Sequence, residues 1–353
     1  MTNLEIYEQA TNVLTMITAD LNDSIYQNMN GKLTLLFGTD EVVNAWARDD
    51  SIDVNRPQHT IGINYKLVEV LYRDIESFCN FYSQHLTDKR IDALLPNYTN
   101  EPLLFEYFSI EQNCFNMFVG ALTFVFFHEL GHLLQRHSCL RERFGNNITS
   151  TINECNIDRE NKLVGKQAAI SHITELYADS YGISSCLSEI VRHFKDDKKE
   201  LKVALYQFVC GLSCTFYIFS DGKSHQVTHE PVGSHPNALI RLEFALPKIY
   251  ELMDLVDEVV KHEMTREDLV HICGRASFYS LIFQDAKRKV GLRNDQAEQI
   301  KGLINRKEDK PYLNSIFSAW EEISEPLRIG ALDTSLLHEF SISDAFRDYL
   351  HAT

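Results

Sequence analysis

An almost uninterrupted apolar run places the strongest constraint on the fold of this chain. The run, Phe115–Phe127, is 13 residues long and is followed directly by His128. A helix needs about 20 predominantly apolar residues to cross a bilayer, so this run is too short to do so. A helix that is apolar on nearly all sides must instead be buried inside a folded domain. We therefore predict a core helix from Ser109 to His137 that carries polar side chains into the interior.

A second apolar segment, Val203–Phe219, is 17 residues long and contains Gln207, Ser213 and Thr215. By the same argument of length and composition, this segment is also predicted to form a buried core helix. We therefore expect no membrane insertion.

The overall charge and the cysteines narrow the class of protein. The chain has 34 Lys and Arg against 50 Asp and Glu, a formal net charge of −16. Such a surface repels phosphate backbones, which argues against nucleic-acid binding. The eight cysteines form no CxxC pair, so neither a disulfide scaffold nor a zinc ribbon is expected. Free thiols and an N-terminal stretch without the pattern of an export signal predict a cytoplasmic protein.

Short segments rich in β-branched and aromatic residues lie between Gly31 and Tyr65. They read KLTLLFG, VVNAWA and HTIGINY, and polar stretches separate them. This pattern is typical of strands, whereas the flanking residues follow the three- and four-residue spacing of amphipathic helices. We predict an α+β protein, predominantly helical, with a small N-terminal β-sheet at about residues 31–65. Turn-forming residues predict loops around Gly145–Gly165 and Ser220–Pro236.

His128, Glu129 and His132 form an HExxH sequence on the predicted core helix. Residues four apart lie on one helical face, so both imidazoles can bind one cation while Glu129 lies beside it. Zinc binds imidazole nitrogen, and a catalytic zinc keeps three protein ligands and a water whose pKa falls toward about 7. Glu129 would take the proton of that water. The alternative is an ordinary buried helix whose histidines hydrogen-bond to backbone groups.

A carboxylate on a second predicted helix supplies the third ligand. Glu175 and Asp179 share one face by the same four-residue spacing, so Glu175 can bind the metal while Asp179 orients a ligating histidine. His172, one turn earlier, is an alternative ligand, but a His-His-Glu set is an established zinc arrangement and favours Glu175. The plainer interpretation of the two carboxylates is a solvated acidic face.

A third motif, Ser234-His235-Pro236, precedes Arg241 at a predicted junction between a loop and a helix. Proline is well placed in a first helical turn because its missing N–H is not needed there, and it would hold His235 at the start of the helix. His235 can then donate a hydrogen bond to the oxyanion that forms when water attacks a carbonyl. The plainer interpretation is a polar residue that faces solvent.

Three further histidines receive structural or surface roles. His137 lies five residues after His132, about 140° around the helix, and is expected to face away from the metal and to hydrogen-bond in the core. His225 and His229 belong to the loop before Gly233 and are expected to be exposed, with substrate contact as the alternative.

Taken together, HELGHLLQRH, ELYADSYG and SHPNALIRL resemble the HExxH, ExxAD and HPxxxxR motifs of gluzincin metallopeptidases of the HtpX and CAAX-prenyl-protease type. They are more similar still to the soluble Lit peptidases of phage exclusion, because no transmembrane helices separate the motifs here. Upstream, VNAWA and TIGIN are similar to the strand pair that precedes the zinc helix in the HtpX-type family. The resemblance covers residues 40–245 in pieces.

The resemblance implies a zincin-like fold that holds one Zn²⁺ per chain. The metal ligands that it implies are His128, His132 and Glu175. It implies further that Glu129 is the general base, that Asp179 lies behind a ligand histidine and that His235 assists the tetrahedral intermediate. Arg241 would support the site from its own helix.

Two expectations concern the substrate. An extended peptide is expected to add, by main-chain hydrogen bonds, to an exposed strand edge formed by Thr60, Ile61, Gly62, Ile63 and Asn64. The chain departs from the family pattern in a long insertion between His137 and Glu175. Because an unrestrained cytoplasmic protease would be harmful, we expect latency, and Ser138–Gln167 is the segment expected to cover the cleft.

The sequence thus predicts a zincin-like catalytic domain over residues 1–250, with active-site helices at about 109–137 and 167–190. A helical extension over residues 251–353 is expected to pack on it. The expected activity is that of a zinc endopeptidase acting on a protein or peptide substrate through metal-activated water. The resemblance adds a role in phage exclusion, through cleavage of a translation elongation factor.

Two other interpretations remain open. One is a catalytically silent zinc-binding module whose C-terminal helices bind a regulatory or partner protein. The other is an unmetallated helical scaffold in which the motif match is accidental.

Overall fold

Helices make up 72% of the structure, and a small four-stranded mixed sheet accompanies them. The predicted class, α+β and predominantly helical, is confirmed. The computed structural model of the chain describes residues 1–53, 55–85, 104, 107–146, 150–155, 163–194, 196–223, 225–260, 264–288, 295–333 and 340–351. Of the predicted insertion at 138–167, residues 147–149 and 156–162 lie outside the described residues.

In the described part of the chain, the strands all lie in the first half and the second half is helical. The strands are β1 (Lys32–Gly38), β2 (Ala45–Asp49), β3 (Gln58–Asn64) and β4 (Thr151–Asn153). The helices are α1 (Asn3–Leu21), α2 (Tyr65–His85), α3 (Ile110–Leu134), α4 (His137–Gly145), α5 (Gly165–Phe194), α6 (Lys198–Phe219), α7 (Ala238–Val260), α8 (Arg266–Arg288), α9 (Asp295–Lys301), α10 (Lys310–Gly330) and α11 (Asp344–His351). A π-helical turn, Asn22–Tyr26, extends α1, and 3₁₀ turns lie at Leu303–Asn305 and Lys307–Asp309.

The strand order in the sheet is β1-β3-β2-β4. β3 pairs in parallel with β1 and antiparallel with β2, and β2 pairs antiparallel with β4. The three predicted strand segments are therefore strands, and β4 is an addition that the sequence reading assigned to a loop. The prediction that Thr60–Asn64 forms an exposed edge is wrong, because β3 has a hydrogen-bonded neighbour on each side.

α3 begins and ends at identifiable signals. The side chain of Ser109 accepts a hydrogen bond from the backbone N–H of Gln112, and the Gln112 side chain accepts one in return from the N–H of Ser109. The helix ends at Leu134, earlier than predicted, because Arg136 takes a left-handed conformation with φ of 54°. A new helix, α4, starts at His137. The chain direction therefore changes directly after the HExxH motif.

α3 and α6 are long and apolar enough, by length and composition alone, to cross a membrane. In this fold, 83% of the apolar window of α3 and 89% of that of α6 are buried. Both helices thus lie in the interior, as the sequence predicted. The main apolar core is built around α3, with α2, α5 and α6 packed against it.

α3 and α5 approach each other closely because glycines stand at their contact. A Cβ atom at Gly131 would lie 2.9 Å from Cβ of Tyr181, and one at Gly182 would lie 3.0 Å from the ring of Phe124. A Cβ atom at Gly131 would come closer than real Cβ atoms do, so a side chain there would push the helices apart, and one at Gly182 would require the ring of Phe124 to shift. The glycine inside the HExxH motif thus sets the distance between the two helices that carry the predicted ligands.

A second apolar cluster joins α5 to the C-terminal helices. It contains Ile170, Ile173 and Tyr177 of α5, with Leu313 and Phe317 of α10. The C-terminal helices thus pack directly on the helix that carries the predicted third ligand.

Candidate metal centre

Four buried side chains from three different elements converge on one point. His128 and His132 come from α3, Glu175 comes from α5, and Glu154 directly follows β4. One potential ligand atom from each of the four lies within 4.8 Å of those of the other three, and all four residues are at most 2% exposed. The three predicted ligands are therefore brought together, and Glu154 joins them.

The distances among these atoms suit a single small cation. Nε2 of His128 lies 3.1 Å from Nε2 of His132, 2.9 Å from Oε2 of Glu154 and 3.2 Å from Oε2 of Glu175. Nε2 of His132 lies 3.5 Å from Oε1 of Glu175. Four ligands at the roughly 2.0–2.1 Å bond length of zinc sites form a tetrahedron with edges of about 3.4 Å. The four distances between donor atoms above, from 2.9 to 3.5 Å, lie close to that edge length.

The contacts of both ring nitrogens of His128 also bear on whether a cation fits here. Its Nδ1 lies 2.9 Å from Oδ1 of Asp179, the arrangement in which a histidine donates its N–H to a carboxylate. Burial alone would lower the pKa of His128, but Glu154 and Asp179 outweigh it and hold the pKa well above its ordinary value, so without an ion the ring carries a proton at Nε2, facing Glu154 and Glu175. A cation bound at Nε2 would take the place of that proton.

Unpartnered oxygens provide a second test of fit. Among the described residues, the buried carboxylate oxygens without a hydrogen bond are both oxygens of Glu129 and Oε2 of Glu154 and Glu175. Buried polar atoms are nearly always satisfied, so a cluster of exceptions indicates an ion or water. The carboxylates and guanidiniums buried here are Glu129, Glu154, Glu175, Asp179, Arg141 and Arg241. The carboxylates in this region outnumber the guanidiniums by four to two.

His132 is held from its second ring nitrogen by another histidine. Its Nδ1 lies 2.8 Å from Nδ1 of His137. Burial lowers the pKa of His132 to about 4, and it lowers that of His137 well below the ordinary value, so both rings are neutral near pH 7. His137 is not part of the four-residue cluster, and the left-handed turn at Arg136 brings it behind His132. Its expected hydrogen bond in the core is present.

Glu175 is oriented by an arginine that the sequence reading missed. Arg141, at the middle of α4, forms an ion pair with Oε1 of Glu175 through Nη2, and its Nε donates to Oγ1 of Thr174 at 2.8 Å. Burial alone would raise the pKa of Glu175, but His235 and His132 outweigh it and hold the pKa well below its ordinary value. Glu175 is therefore ionised and able to bind a cation.

Arg241 joins two of the acidic residues around the cluster. Its Nε and Nη2 donate to the carboxylate of Asp179 at 2.9 and 2.7 Å, and its Nη1 donates to Oε1 of Glu154 at 2.5 Å. The guanidinium lies over the ring of Phe216, 4.6 Å from its centroid. Burial favours the neutral form of Glu154, but Arg241 and His128 outweigh this effect and hold the pKa of Glu154 well below its ordinary value.

Glu129 is completely buried beside the ligands. Neither of its oxygens has a hydrogen-bond partner within the described residues. Burial, reinforced by the negative charge of Glu154, raises the pKa of Glu129 well above its ordinary value. A carboxylate in this environment accepts a proton more readily than an exposed one.

His235 lies at the boundary between the cluster and a cavity of about 1060 Å³. Its Nε2 is 3.4 Å from Oε1 of Glu175 and 3.6 Å from Oε2 of Glu154, and Nδ1 is 2.8 Å from Oγ of Ser234. The ring is 13% exposed. The following helix begins at Ala238, later than the position of the proline implied.

Two other histidines, His172 and His225, do not have the roles considered for them from the sequence. Nδ1 of His172 lies 3.0 Å from the hydroxyl of Tyr312, and His172 lines the cavity without joining the four-residue cluster. His225 is only 3% exposed, so the prediction that it faces solvent is wrong. Its backbone N–H donates to Asp295 at 2.9 Å and its ring faces Asp309 at 3.1 Å.

The five residues predicted to bind substrate lie inside the sheet. Thr60 donates to Asp50 at 2.8 Å, and the side chain of Asn64 donates to the carbonyl of Val42 at 2.9 Å. Gly62 is covered by the indole of Trp46, and Ile61 and Ile63 belong to the apolar core. Because β2 and β1 occupy both hydrogen-bonding sides of β3, a peptide cannot add there.

Glu154 and Arg141 are the functional residues that sequence reasoning missed. Both belong to the segment treated as an insertion, where polar residues predominate and no metal-ligand spacing is present. A weak signal is available, since Thr151-Ile152-Asn153 alternates as a short strand does and a carboxylate follows it.

We compared the chain with models of protein families, with curated proteins and with solved structures, and it matches none of them. The fold and the site define an α+β protein, mostly helical, with a buried His/His/Glu/Glu cluster that can bind a metal ion.

Proposed function

We propose that the protein is a cytoplasmic zinc endopeptidase of the gluzincin type with a zincin-like catalytic core. The observation that carries this proposal is the convergence of the HExxH histidines with Glu175, beside a buried Glu129 and next to a cavity. A His-His-Glu donor set of mixed imidazole and carboxylate is one that catalytic zinc uses.

His128, His132 and Glu175 would hold the ion. When bound, the ion supplies Lewis acidity, which acidifies water and polarises the scissile carbonyl. Asp179 fixes the ring of His128 through Nδ1 of that ring. His137 fixes the ring of His132 in the same way. Such contacts also increase the basicity of a ligating ring.

Glu129 acts as the general base in this proposal. Its raised pKa allows it to take a proton from the attacking water near neutral pH and to return a proton to the leaving amine. The absence of a fixed hydrogen-bond partner among the described residues leaves both of its oxygens available for this exchange.

His235 stabilises the negative oxygen that develops on the attacked carbonyl. Its Nε2 has no hydrogen-bond partner in the described structure, and the residue lines the cavity next to Glu175 and Glu154. A donor already positioned where charge develops lowers the barrier without reorganisation. The substrate that we propose is a protein or peptide segment in extended conformation. The motif resemblance to Lit peptidases makes a protein encountered during phage infection the first substrate to examine.

The test replaces the base and leaves the ligands in place. A cell extract is incubated with zinc-loaded wild-type protein or with Glu129→Gln, and new peptide termini are identified by mass spectrometry. We expect equal zinc content and a loss of hydrolysis of about 10²- to 10⁴-fold, the usual contribution of a general base. Glu142→Gln, the same change at an exposed carboxylate of α4, is the control and should retain wild-type cleavage. Equal cleavage by Glu129→Gln would reject the assignment.

A second candidate is favoured by one specific observation. Structural zinc sites have four protein ligands, and Glu154 supplies a fourth donor here. The protein would then be a zinc-stabilised binding module without turnover. No new peptide termini above those of the Glu129→Gln control, with about one zinc per chain, would establish this candidate instead.

A further inference from the structure

We propose that residues Thr151–Cys155, which we call the blocking strand, occupy the substrate position of this site. The strand pairs with β2 as an extended peptide would and presents Glu154 as a displaceable fourth ligand. This inference rests on the proposed peptidase function and adds how the site is closed and where the substrate binds.

The backbone contacts of the blocking strand are those of strand addition. It runs antiparallel to β2, with Thr151 opposite Arg48 and Asn153 opposite Trp46. The N–H of Glu154 donates to the carbonyl of Ala45 at 2.9 Å. Extended peptides bind to exposed sheet edges through such a ladder. In the described part of the chain, this strand is what pairs with the outer side of β2.

Asn44 holds the blocking strand at its middle and at its C-terminal end. Its Nδ2 donates to Oδ1 of Asn153 at 3.0 Å, and its Oδ1 accepts from the backbone N–H of Cys155 at 3.0 Å. An asparagine side chain that pairs with backbone and amide groups can make equivalent contacts with another extended peptide. Asn44 is 2% exposed, so these contacts are shielded from water.

Glu154 stands where a substrate carbonyl would be needed. Its Oε2 lies 2.9 Å from Nε2 of the ligand His128 and 3.6 Å from Nε2 of His235. In the proposed mechanism, the carbonyl oxygen must reach both the metal and His235. The carboxylate therefore fills the position that catalysis requires to be open.

The structure also shows why release of Glu154 is tolerable. Its partner Arg241 keeps two hydrogen bonds to Asp179 after the carboxylate leaves, so no buried guanidinium is left without a counter-charge. β4 has only three residues, and strands this short contribute few ladder bonds. An extended segment that pairs antiparallel with Ala45–Asp49 can compete for the same edge.

The test measures access to the metal without requiring turnover. Full-length zinc-loaded wild-type, Glu154→Gln and Glu142→Gln proteins are titrated with acetohydroxamate, a small zinc chelator, by calorimetry. An open state populated at about 1–10% in the wild type weakens the apparent affinity by the same factor. We therefore expect Glu154→Gln to bind the probe about 10- to 100-fold more tightly, with about one zinc retained, and Glu142→Gln to behave as wild type.

Asn44→Ala provides a second variant that leaves every donor atom in place. It removes the contacts of Asn44 with Asn153 and Cys155 and should shift probe affinity in the same direction by a smaller factor. Circular dichroism of all variants establishes that they are folded. This variant decides the proposal if Glu154→Gln does not fold.

Each other outcome has a distinct meaning. Equal probe affinity in all folded variants overturns the blocking role, and loss of zinc from Glu154→Gln overturns displacement because the carboxylate is then a permanent ligand. Tighter probe binding without any hydrolysis by wild type or Glu154→Gln rejects the peptidase function but leaves the closure of the metal site established.

Discussion

Two buried ionic clusters of this protein have similar composition but differ in how their carboxylate oxygens are hydrogen-bonded. The candidate metal centre joins His128, His132, Glu154 and Glu175. The second cluster, which we call the Arg306 cluster, joins His225, Glu243, Arg306 and Asp309. Each contains imidazole and carboxylate groups removed from water. The difference lies in what the carboxylates face.

In the Arg306 cluster, the carboxylates face guanidinium hydrogens. Nη1 and Nη2 of Arg306 donate to the two oxygens of Glu243, and its Nε donates to Asp309 at 2.7 Å. In the candidate metal centre, Oε2 of Glu154 and Oε2 of Glu175 face a ring nitrogen of His128 and accept no hydrogen bond within the described structure. Residue types alone therefore do not distinguish a candidate metal site from a structural ion pair. The two kinds of cluster differ in whether the carboxylate oxygens are matched by hydrogen-bond donors.

A cavity lies between the two clusters. It is lined by His235 of the proposed active site, by Asp309 of the Arg306 cluster and by His172. The hydrogen bonding of the two clusters indicates separate roles, which substitutions in and around each cluster can test.

Arg306→Met should lower the free energy of unfolding by about 3–5 kcal/mol, because it leaves two buried carboxylates without their counter-charge. Zinc content should stay at the wild-type value. Urea denaturation and metal analysis of the same preparation measure the two quantities. Loss of zinc together with stability would show that the two clusters are not separate.

Glu175→Gln should lower the zinc affinity rather than the free energy of unfolding. Removal of a residue that only orients a ligand weakens metal binding by about 10- to 100-fold, so removal of a ligand charge should weaken it by more. Zinc affinity is measured by competition with a chelator. Glu243→Gln makes the same change in the Arg306 cluster and should leave the affinity unchanged. A similar loss in both variants would remove the distinction.

Gly131→Ala should separate α3 from α5 and lower stability by about 1–3 kcal/mol, since the new methyl would lie 2.9 Å from Cβ of Tyr181. Gly120→Ala on the same helix is the matched control, because its methyl would meet an atom of Phe208 only at 3.8 Å. The control should be neutral or stabilising, as alanine favours helix. Thermal and urea unfolding compare the two variants. An equally mild effect of both would mean that helix spacing at the motif is not tightly set.

The pH dependence of stability tests the neutral state of His172. Burial, with a smaller effect of His235, lowers the pKa of His172 to about 3. Between that value and about 6.5, the unfolded chain binds a proton that the folded chain excludes, so the free energy of unfolding falls as pH decreases. The fall is at most about 1.4 kcal/mol per pH unit for this one residue.

Wild type and His172→Gln are compared by urea denaturation at pH 7.5 and pH 5.5. From the higher to the lower pH, the free energy of unfolding of the wild type should fall more than that of the variant, because the variant has no proton to exclude at this position. A difference that stays constant would show that His172 does not contribute to the pH dependence.

Much of the site was predictable because it depends on short-range geometry. The four-residue spacing of His128 and His132 determines their common direction once a helix forms, and the same is true of Glu175 and Asp179. The apolar run before His128 likewise predicted a buried helix. Each of these inferences concerns a single helix. The contact between the two helices was inferred from the pairing of their motifs.

The errors all concern relations between elements. The core helix was predicted to continue to His137 but ends at Leu134, and β3 was taken for an edge although it has neighbours on both sides. Register and strand order depend on pairing partners far away in the chain, which local composition does not specify.

Residue type and periodicity were enough to place the HExxH face of α3 in an apolar interior, because hydrophobic burial follows from both. That Glu154 reaches this face depends on the assembled fold. A three-residue strand has almost no signal of its own, and its carboxylate arrives at the histidines because β2 offers it a ladder of hydrogen bonds and Arg241 offers it a charge.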